Sequence, residues 1–538
     1  MSDAAATWPT STRVPNMAHF LSASARRLPD EIAIVYDGQS WTWAEFDARV
    51  NALAAGLQRE FGLQKGDRVL VQSANNNQMM ELMMAVFRLG AVWTPANFRQ
   101  SPDEVAYLCE KSGARLMVVE AAFAAHATRC RGMVDAIVSI GALEGARSYE
   151  ALVAQHAGQV VPNQQVDRDD PAWLFFTSGS TGRPKAVVLT HGQLTFTTLN
   201  HLNDLMPGTG PEDASLVVAP LSHGAAMHQM TQIAAGAKSV LLPQGRFDPA
   251  VAWELIETWR ITNMFTVPTI VKMLVEHPSV QDHDHSSLRY VIYAGAPMYR
   301  EDQKRALATL GKVLVQYYGL GEVTGAITVL RPQDHHLEDG PQNRIGTCGI
   351  ERTGIEISIQ DEDGRDVAPF ETGEICVIGP AVCAGYFEDE GANRKSFRNG
   401  WFRTGDLGHV DKQGYVYITG RASDMYISGG SNVYPREVEE VLLTLDGVNE
   451  VAILGVPDPK WGEVGLCVCV AHPGQSVTED QIARHLSGRV SKYKMPQYYV
   501  FLDEMPKTAY GKITKKLVRE ELAARGLLPN PATEPAEG

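Results

Sequence analysis

No Cys-x-x-Cys pair occurs in this chain, and its seven cysteines, at 109, 130, 348, 376, 383, 467 and 469, are an odd and dispersed set. That argues against a disulfide framework and against a zinc site, and makes the cytoplasm the expected compartment. Cys467 and Cys469 alternate as buried strand residues do. Long apolar runs are also missing. The richest stretch, around Met79–Trp93, is broken by Glu81 and Arg88, so no membrane span is expected. The first residues carry no basic region followed by an apolar core, and the chain ends Pro-Ala-Glu-Gly, so neither a signal peptide nor a peroxisomal tripeptide is read. Positive charge is not in excess. The formal net charge of −15 argues against a non-specific nucleic-acid binder. Internal repeats and low-complexity tracts are absent. What remains is an ordinary soluble composition, 44% hydrophobic and 21% charged, over 538 residues, too many for one core. Two or more domains are expected.

From about residue 30 to 345, short apolar runs alternate with helix-like segments. Val69–Val71, Leu116–Val119, Leu216–Ala219, Val240–Leu242, Met264–Val267, Tyr290–Tyr293 and Val313–Val315 read as buried strands. Pro249–Trp259, Pro268–Glu276 and Arg300–Leu310 read as helices between them. The alternation predicts α/β layers with mostly parallel sheet. From 346 to 420, glycine turns and short alternating strands such as Gly373–Gly379 predict a small β-barrel or open β-unit. A boundary is read at 421–424. Beyond it, a helix (Pro435–Leu445), strands (Val451–Val456, Gly465–Val470), a helix (Thr478–Leu486) and a strand (Tyr498–Leu502) predict a compact α+β domain over 425–525. Residues 526–538, rich in Pro, Ala and Glu, read as a disordered tail.

The most informative stretch is Thr177-Ser178-Gly179-Ser180-Thr181-Gly182-Arg183-Pro184-Lys185, which follows the apolar run Trp173–Phe176. Glycines let backbone N–H groups approach a polyphosphate, hydroxyls donate hydrogen bonds, and lysine adds charge. It is not a Walker A loop, because Gly179 and Gly182 are too close and Ala186 follows the lysine. In Tyr318-Gly319-Leu320-Gly321-Glu322, a carboxylate follows a parallel strand, where Mg²⁺ can be held beside phosphates, and a tyrosine can stack on a purine. Taken alone, this segment and each further motif read blandly: Glu322 as a solvated carboxylate in a strand-to-loop turn, Asp406 in Arg403-Thr404-Gly405-Asp406-Leu407 as a turn, Gly429-Gly430 as a turn, and Lys512 in Tyr510-Gly511-Lys512-Ile513 as a solvated lysine. A serine hydrolase is excluded, since Gly429-Gly430-Ser431-Asn432-Val433 lacks the closing glycine of a nucleophile elbow.

Taken together and in order, these motifs resemble the adenylate-forming superfamily: acyl- and aryl-CoA synthetases, peptide-synthetase adenylation domains and beetle luciferases. The resemblance runs from about residue 30 to 520 and includes Ser40–Phe46 and Gly90–Pro95. It implies that Thr177, Ser178, Gly179, Ser180, Thr181, Gly182 and Lys185 hold the ATP phosphates, with Thr177 near the metal. Ala294, Gly295, Ala296, Pro297, Tyr318 and Gly319 would form the adenine slot. Glu322 would coordinate Mg²⁺, Asp406 would bind the ribose hydroxyls, and Arg421 would assist beside it. Lys512 would reach across from the small domain to the carboxylate and α-phosphate. His223 looks like the gate between acyl pocket and thiol channel. Ser428, Gly429, Gly430 and Trp461 would line the CoA tunnel and its entrance. Ser423 sits at the hinge. The chain departs from the pattern at Gly321, where the family usually has Thr, at Ser423, at Ser431 and at Ala186. Gly321 puts one hydroxyl contact to the AMP phosphate in question.

The function expected is an acyl-CoA synthetase. It would activate an acid as acyl-AMP, release pyrophosphate, and transfer the acyl group to CoA, with ATP and CoA as co-substrates. The alternative is a stand-alone adenylation enzyme that loads a carrier protein. A fold that has lost its chemistry is disfavoured by the presence of Glu322, Asp406, Arg421 and Lys512 together. The acyl pocket is expected at His223, Gly224, Ala225, Met227, Tyr293, Leu320 and Gly321. With small residues at 224–226 and no arginine evident to pair a second carboxylate, a monocarboxylic fatty or aromatic acid is expected. The oligomer considered is a homodimer.

Overall fold

The computed structural model describes residues 12–177, 183–243, 247–296, 298–340, 343–507 and 513–529. Two parallel-rich sheets form the centre. The first runs in the order Arg147–Ser148, Ala136–Ile140, Leu116–Glu120, Arg68–Gln72, Val92–Pro95, Pro171–Thr177, Lys185–Thr190. The second runs Leu314–Gln316, Tyr290–Tyr293, Asn263–Thr266, Ala214–Val217, Lys238–Leu241, Ile32–Tyr36, Gln39–Thr42. Within each, only the last pair is antiparallel. Short runs rich in β-branched residues, buried on both sides, suit such strands.

Helices Ala18–Arg27, Trp43–Phe61, Asn77–Arg88 and Gly224–Ala235 lie between the sheets and share one apolar core with Val69, Trp93, Trp173 and Val217. Pro249–Trp259, Pro268–Glu276 and Arg300–Leu310 cover the far face of the second sheet around Trp253 and Met264. The central helices start where capping chemistry dictates. Thr42 and Thr190 each accept from the backbone three residues on while Glu45 and Gln193 reach back, and Pro249 and Pro268 occupy first helical positions.

The two charges that interrupt the apolar run after Met79 are buried and paired. Glu81 accepts from Arg49 at 2.7 Å and from Tyr149 at 2.9 Å, and Arg88 is held by Asp47. Buried charges persist only when their partners are in place. Among the described residues no helix is long and apolar enough to cross a membrane.

A third, antiparallel sheet joins Thr328–Val329, Thr347–Glu351, Tyr415–Arg421, Trp401–Val410, Gly373–Ile378 and Glu356–Gln360. Sheet membership changes between Arg421 and Tyr426. The next sheet orders Ser431–Val433, Tyr426–Ser428, Gly462–Ala471 and Val448–Asp458, with Tyr498–Phe501 parallel to Gly462–Ala471. Cys467 and Cys469 both point into its core with Ile453 and Ile482, as alternation requires. A last helix, Lys515–Ala524, starts at Thr514, whose side chain accepts from Leu517 N–H.

The expectation of a tail from 526 is corrected for its first residues. Leu527 N–H closes on Leu522 O at 2.8 Å, and Leu528 packs against the cluster of Val518 and Leu522, so residues 526–529 are folded onto the domain. The remainder, 530–538, lies outside the described residues.

Candidate functional site

Parallel strands end together, so the residues that follow them gather at one edge. Thr177 closes the strand Pro171–Thr177 and pairs in register with Lys185, the first residue of the returning strand. Ala294–Ala296 follow the strand Tyr290–Tyr293, with Ala294 buried and Gly295 and Ala296 exposed. The Tyr318–Glu322 segment follows Leu314–Gln316. Ser178, Gly179, Ser180, Thr181, Gly182, Pro297 and Lys512 lie outside the described residues.

Two polar clusters form where the ends of these strands, which belong to different sheets, meet around the Tyr318–Glu322 segment. In the first, Thr177 Oγ1 donates to Glu322 Oε1 at 3.2 Å and Tyr386 Oη donates to the same oxygen at 3.1 Å. Lys185 Nζ sits 5.0 Å from the centre of the Tyr386 ring. One carboxylate oxygen, a hydroxyl and a lysine thus gather where the strands Pro171–Thr177 and Lys185–Thr190 begin to pair. Burial, and then Glu322, push the Tyr386 phenol well up, so it stays a donor. Behind the hairpin opens a cavity of about 300 Å³ lined by Tyr107, Lys111, Arg183 and Lys185.

In the second cluster, Tyr318 Oη donates to Asp406 Oδ2 at 2.6 Å and Arg421 Nε to Asp406 Oδ1 at 3.1 Å. Asp406 is buried, which pushes its carboxyl above the ordinary value, while Arg421 and Tyr318 pull it back. Such a carboxylate, fixed at both oxygens, accepts further hydrogen bonds without reorganising. Tyr318 and Glu322 share one short loop, so the clusters are joined.

Gly321 has a structural reason. A Cβ there would lie 2.5 Å from Phe175 Cε1 and 3.1 Å from Thr177 Cγ2. The Phe175 ring therefore occupies the space that a threonine side chain would need. Phe175 also sets the edge of His223, with ring centres 5.2 Å apart at 74°, and Ser222 Oγ lies 2.9 Å from His223 Nδ1.

The expected acyl-pocket residues divide. Gly224 faces the Phe265 ring and lies near Tyr317 Oη. Ala225 and Met227 are buried in the core between the sheets. Tyr293 is a correction. Strand alternation sends Val291 and Tyr293 to one face and Ile292 and Ala294 to the other, and Tyr293 packs among Trp253, Met264 and Ala306. Its hydroxyl donates to Gln316 and lies 3.1 Å from His335 Nε2, away from Gly224. Leu320 is turned to the cluster of Val323 and Ile375.

On the small unit, Gly429 at φ +57° donates its N–H to Trp461 O at 2.8 Å, and a Cβ there would meet the Trp461 ring at 2.9 Å. Gly430, also at positive φ, faces open space. Ser428 is buried beside them, and Trp461 is 44% exposed with Lys460 over its ring. Ser423 is exposed and donates to Asp424 at 3.2 Å.

Sequence reasoning missed Tyr386, Phe175 and the buried Arg352. Arg352 is 1% exposed and donates to His201 Nδ1 at 3.0 Å. Nothing in local spacing ties Tyr386 or Arg352 to the loop at 318–322; Phe175 alone borders a motif, two residues before Thr177.

A carboxylate held by Thr177 and Tyr386, joined through one loop to a second carboxylate held by Tyr318 and Arg421, is a polar site of the kind that an enzyme acting on a nucleotide needs. Residues 21–387 match the family of AMP-binding enzymes, and residues 437–512 match the AMP-binding enzyme C-terminal domain. The feruloyl-CoA synthase of an Amycolatopsis species is 36% identical over 92% of this chain and 96% of its own. The indoleacetate–CoA ligase of Aromatoleum aromaticum is 33% identical over 95% and 98%. Among solved structures, the o-succinylbenzoate CoA synthetase of Bacillus subtilis, in complex with its acyl-adenylate intermediate, superimposes with a TM-score of 0.83. It is 30% identical, over 95% of this chain and 98% of that one. The chain belongs to the AMP-binding enzyme family, within the acyl- and aryl-CoA ligases of the adenylate-forming superfamily.

Proposed function

We propose that the chain is an AMP-forming ligase that joins a monocarboxylic acid to the thiol of CoA in two steps. The observation that carries this reading is the joining of the Thr177–Glu322–Lys185 cluster to the Tyr318–Asp406–Arg421 cluster by one loop. A phosphate-facing set and a ribose-facing set then lie side by side. In the first step a carboxylate oxygen of the acid attacks the α-phosphorus of ATP, and the bond to pyrophosphate breaks. An anion approaches a polyanion, so the barrier is charge. Lys185 and Lys512 offset it, and one well-placed donor is worth about 10²–10³ in rate. In the second step the thiol sulfur attacks the acyl carbon, the bond to AMP breaks, and the thiol proton is released.

The donor set at Glu322 and Thr177, one carboxylate and one hydroxyl oxygen, fits Mg²⁺. That ion is commonly held by one or two carboxylates and otherwise by phosphates and water. Among the described residues no group of three or more acidic, His or Cys side chains forms a protein cage for a metal. When bound, the ion neutralises phosphate charge. Asp406 orients the ribose, His223 gates the passage to the thiol channel, and Gly429, Gly430 and Trp461 form the thiol entrance. A mobile small domain turns on 421–424. The seven cysteines, all free and buried, suit a reducing cytoplasm.

The test separates the steps. Lys512→Ala stops acid-dependent pyrophosphate exchange, losing a charge-assisted contact of about 1.5–3 kcal/mol or more, yet converts a synthetic acyl-adenylate and CoA to thioester. Gly430→Leu keeps exchange and loses thioester formation. Equal loss of both steps in both folded proteins contradicts the reading. A chain that makes thioester only on a carrier protein, and none with free CoA, supports the carrier-loading alternative.

A further inference from the structure

The helix Gly224–Ala235 begins at His223 and carries His228 one turn below Gly224. At a rise of about 1.5 Å per residue, His228 lies about 6 Å deeper than Gly224 along the axis. Phe265 spans this depth. It faces the bare Cα of Gly224 at one end and stacks on the His228 ring at the other, with centres 4.3 Å apart and planes 8° apart. Tyr317 closes the side, 5.9 Å from His228 and near parallel to it at 28°, and His201 meets the His228 edge at 4.6 Å.

His228 is 1% exposed, yet neither ring nitrogen has a hydrogen-bond partner among the described residues. Behind His201 stands Arg352, whose Nε is also without a hydrogen-bond partner there. Protein interiors rarely leave such groups unmet, and a cluster of them calls for a ligand or water.

Charge decides what kind of group fits. The Arg352 and Asp204 side chains are fully buried, with Nε 3.9 Å from Oδ2, and the partly exposed Arg331 lies 3.8 Å from the other Asp204 oxygen, so the buried pair is neutral and the extra positive charge faces solvent. A second carboxylate would add an unbalanced charge in a dry site. Burial, then Arg352, push the His228 imidazole down to about 3, so it is neutral at physiological pH. A neutral imidazole offers one N–H donor and one bare nitrogen, and a hydroxyl, both donor and acceptor, satisfies whichever faces it. An alkyl end would leave both orphaned.

We propose that His228 is a specificity-determining residue at the closed end of the acid pocket, where it pairs with a hydroxyl on the acid opposite its carboxylate. A phenolic acid is the form that the flat walls of Phe265 and Tyr317 fit. This rests on the acid-activating function proposed above.

The test measures acid-dependent pyrophosphate exchange with benzoate, phenylacetate and cinnamate, each with and without a para-hydroxyl. The intact enzyme favours the hydroxylated member by about 10–100-fold in kcat/KM at the length that reaches His228, the cost of one orphaned buried polar group. In His228→Phe that ratio falls to about one, and in His228→Asn, which keeps a donor and an acceptor, part of it returns. No preference at any length in the intact enzyme overturns the inference, whether or not the variants fold. So does a preference that survives in folded His228→Phe. Exchange with none of these acids nor with any alkanoic acid would sink the proposed function itself. Exchange without hydroxyl preference sinks only the role of His228.

Discussion

Replacing Glu322 by Gln is the sharpest single perturbation of the phosphate-facing cluster. The amide keeps the shape and leaves an oxygen to accept from Thr177 and Tyr386, at 3.2 and 3.1 Å in the native protein. Each bond passes from the charged range of about 1.5–3 kcal/mol to the neutral range of about 0.5–1.5 kcal/mol. The folding loss is therefore about 1–3 kcal/mol for the two, less for partial exposure. Against a stability of about 5–15 kcal/mol the variant stays folded. The reaction loses a negative charge where none of the remaining partners can supply one, so exchange falls by about 10² or more. The control is Tyr386→Phe, which removes one of the two bonds but keeps the carboxylate. It costs similar stability and reduces exchange by less than about tenfold, a factor worth about 1.4 kcal/mol. Both are assayed by acid-dependent pyrophosphate exchange across a Mg²⁺ titration, with urea unfolding on the same preparations. If Glu322→Gln retains exchange within tenfold at an unchanged Mg²⁺ requirement, or if both variants lose activity in proportion to stability, the metal-facing role is wrong.

Two further outcomes follow from packing and burial. Gly321→Thr places its Cβ about where the Phe175 ring lies, so it costs about 1–3 kcal/mol by overpacking. Adding Phe175→Ala relieves part of that cost, and independent additive losses in urea midpoints would contradict the contact. Burial holds the His335 imidazole down at about 4 against an ordinary 6.5. Above the ordinary value both states are neutral; as pH falls below it the unfolded chain binds a proton that the folded protein refuses. Stability therefore drops as pH falls toward 4, by about 1.4 kcal/mol per pH unit for this group. His335→Gln lessens the fall in stability between pH 7 and pH 5, and an identical fall in both proteins refutes the buried neutral histidine.

Much of the scaffold was legible because its signals are local. Pro249–Trp259, Pro268–Glu276 and Arg300–Leu310 are found residue for residue, two of them starting on proline at the first helical position. Strand ends drift where an apolar run outlasts its ladder: Leu216–Ala219 was expected, and the strand is Ala214–Val217. The helix Lys515–Ala524 was overlooked because its charged surface hides a two-residue contact stripe, Val518 and Leu522. Site residues with motifs were readable, and those defined by tertiary approach were not. Tyr386 reaches Glu322 across 64 positions, and Arg352 reaches His201 across 151. The expectation that no arginine is free to pair a second carboxylate was drawn from local sequence, which could not show the buried Arg352 or its ion pair with Asp204. Tyr293 was misplaced by one step of strand alternation, which decides the face of every side chain.

The central claim is that the acid's own oxygen attacks the α-phosphorus. Acid labelled with ¹⁸O in both carboxylate positions, turned over with ATP and CoA, tests it directly by mass spectrometry of the products. The account predicts AMP carrying one ¹⁸O and a thioester keeping the other, with unlabelled pyrophosphate. Label in pyrophosphate or inorganic phosphate, or AMP without label beside a fully labelled acyl group, would contradict it.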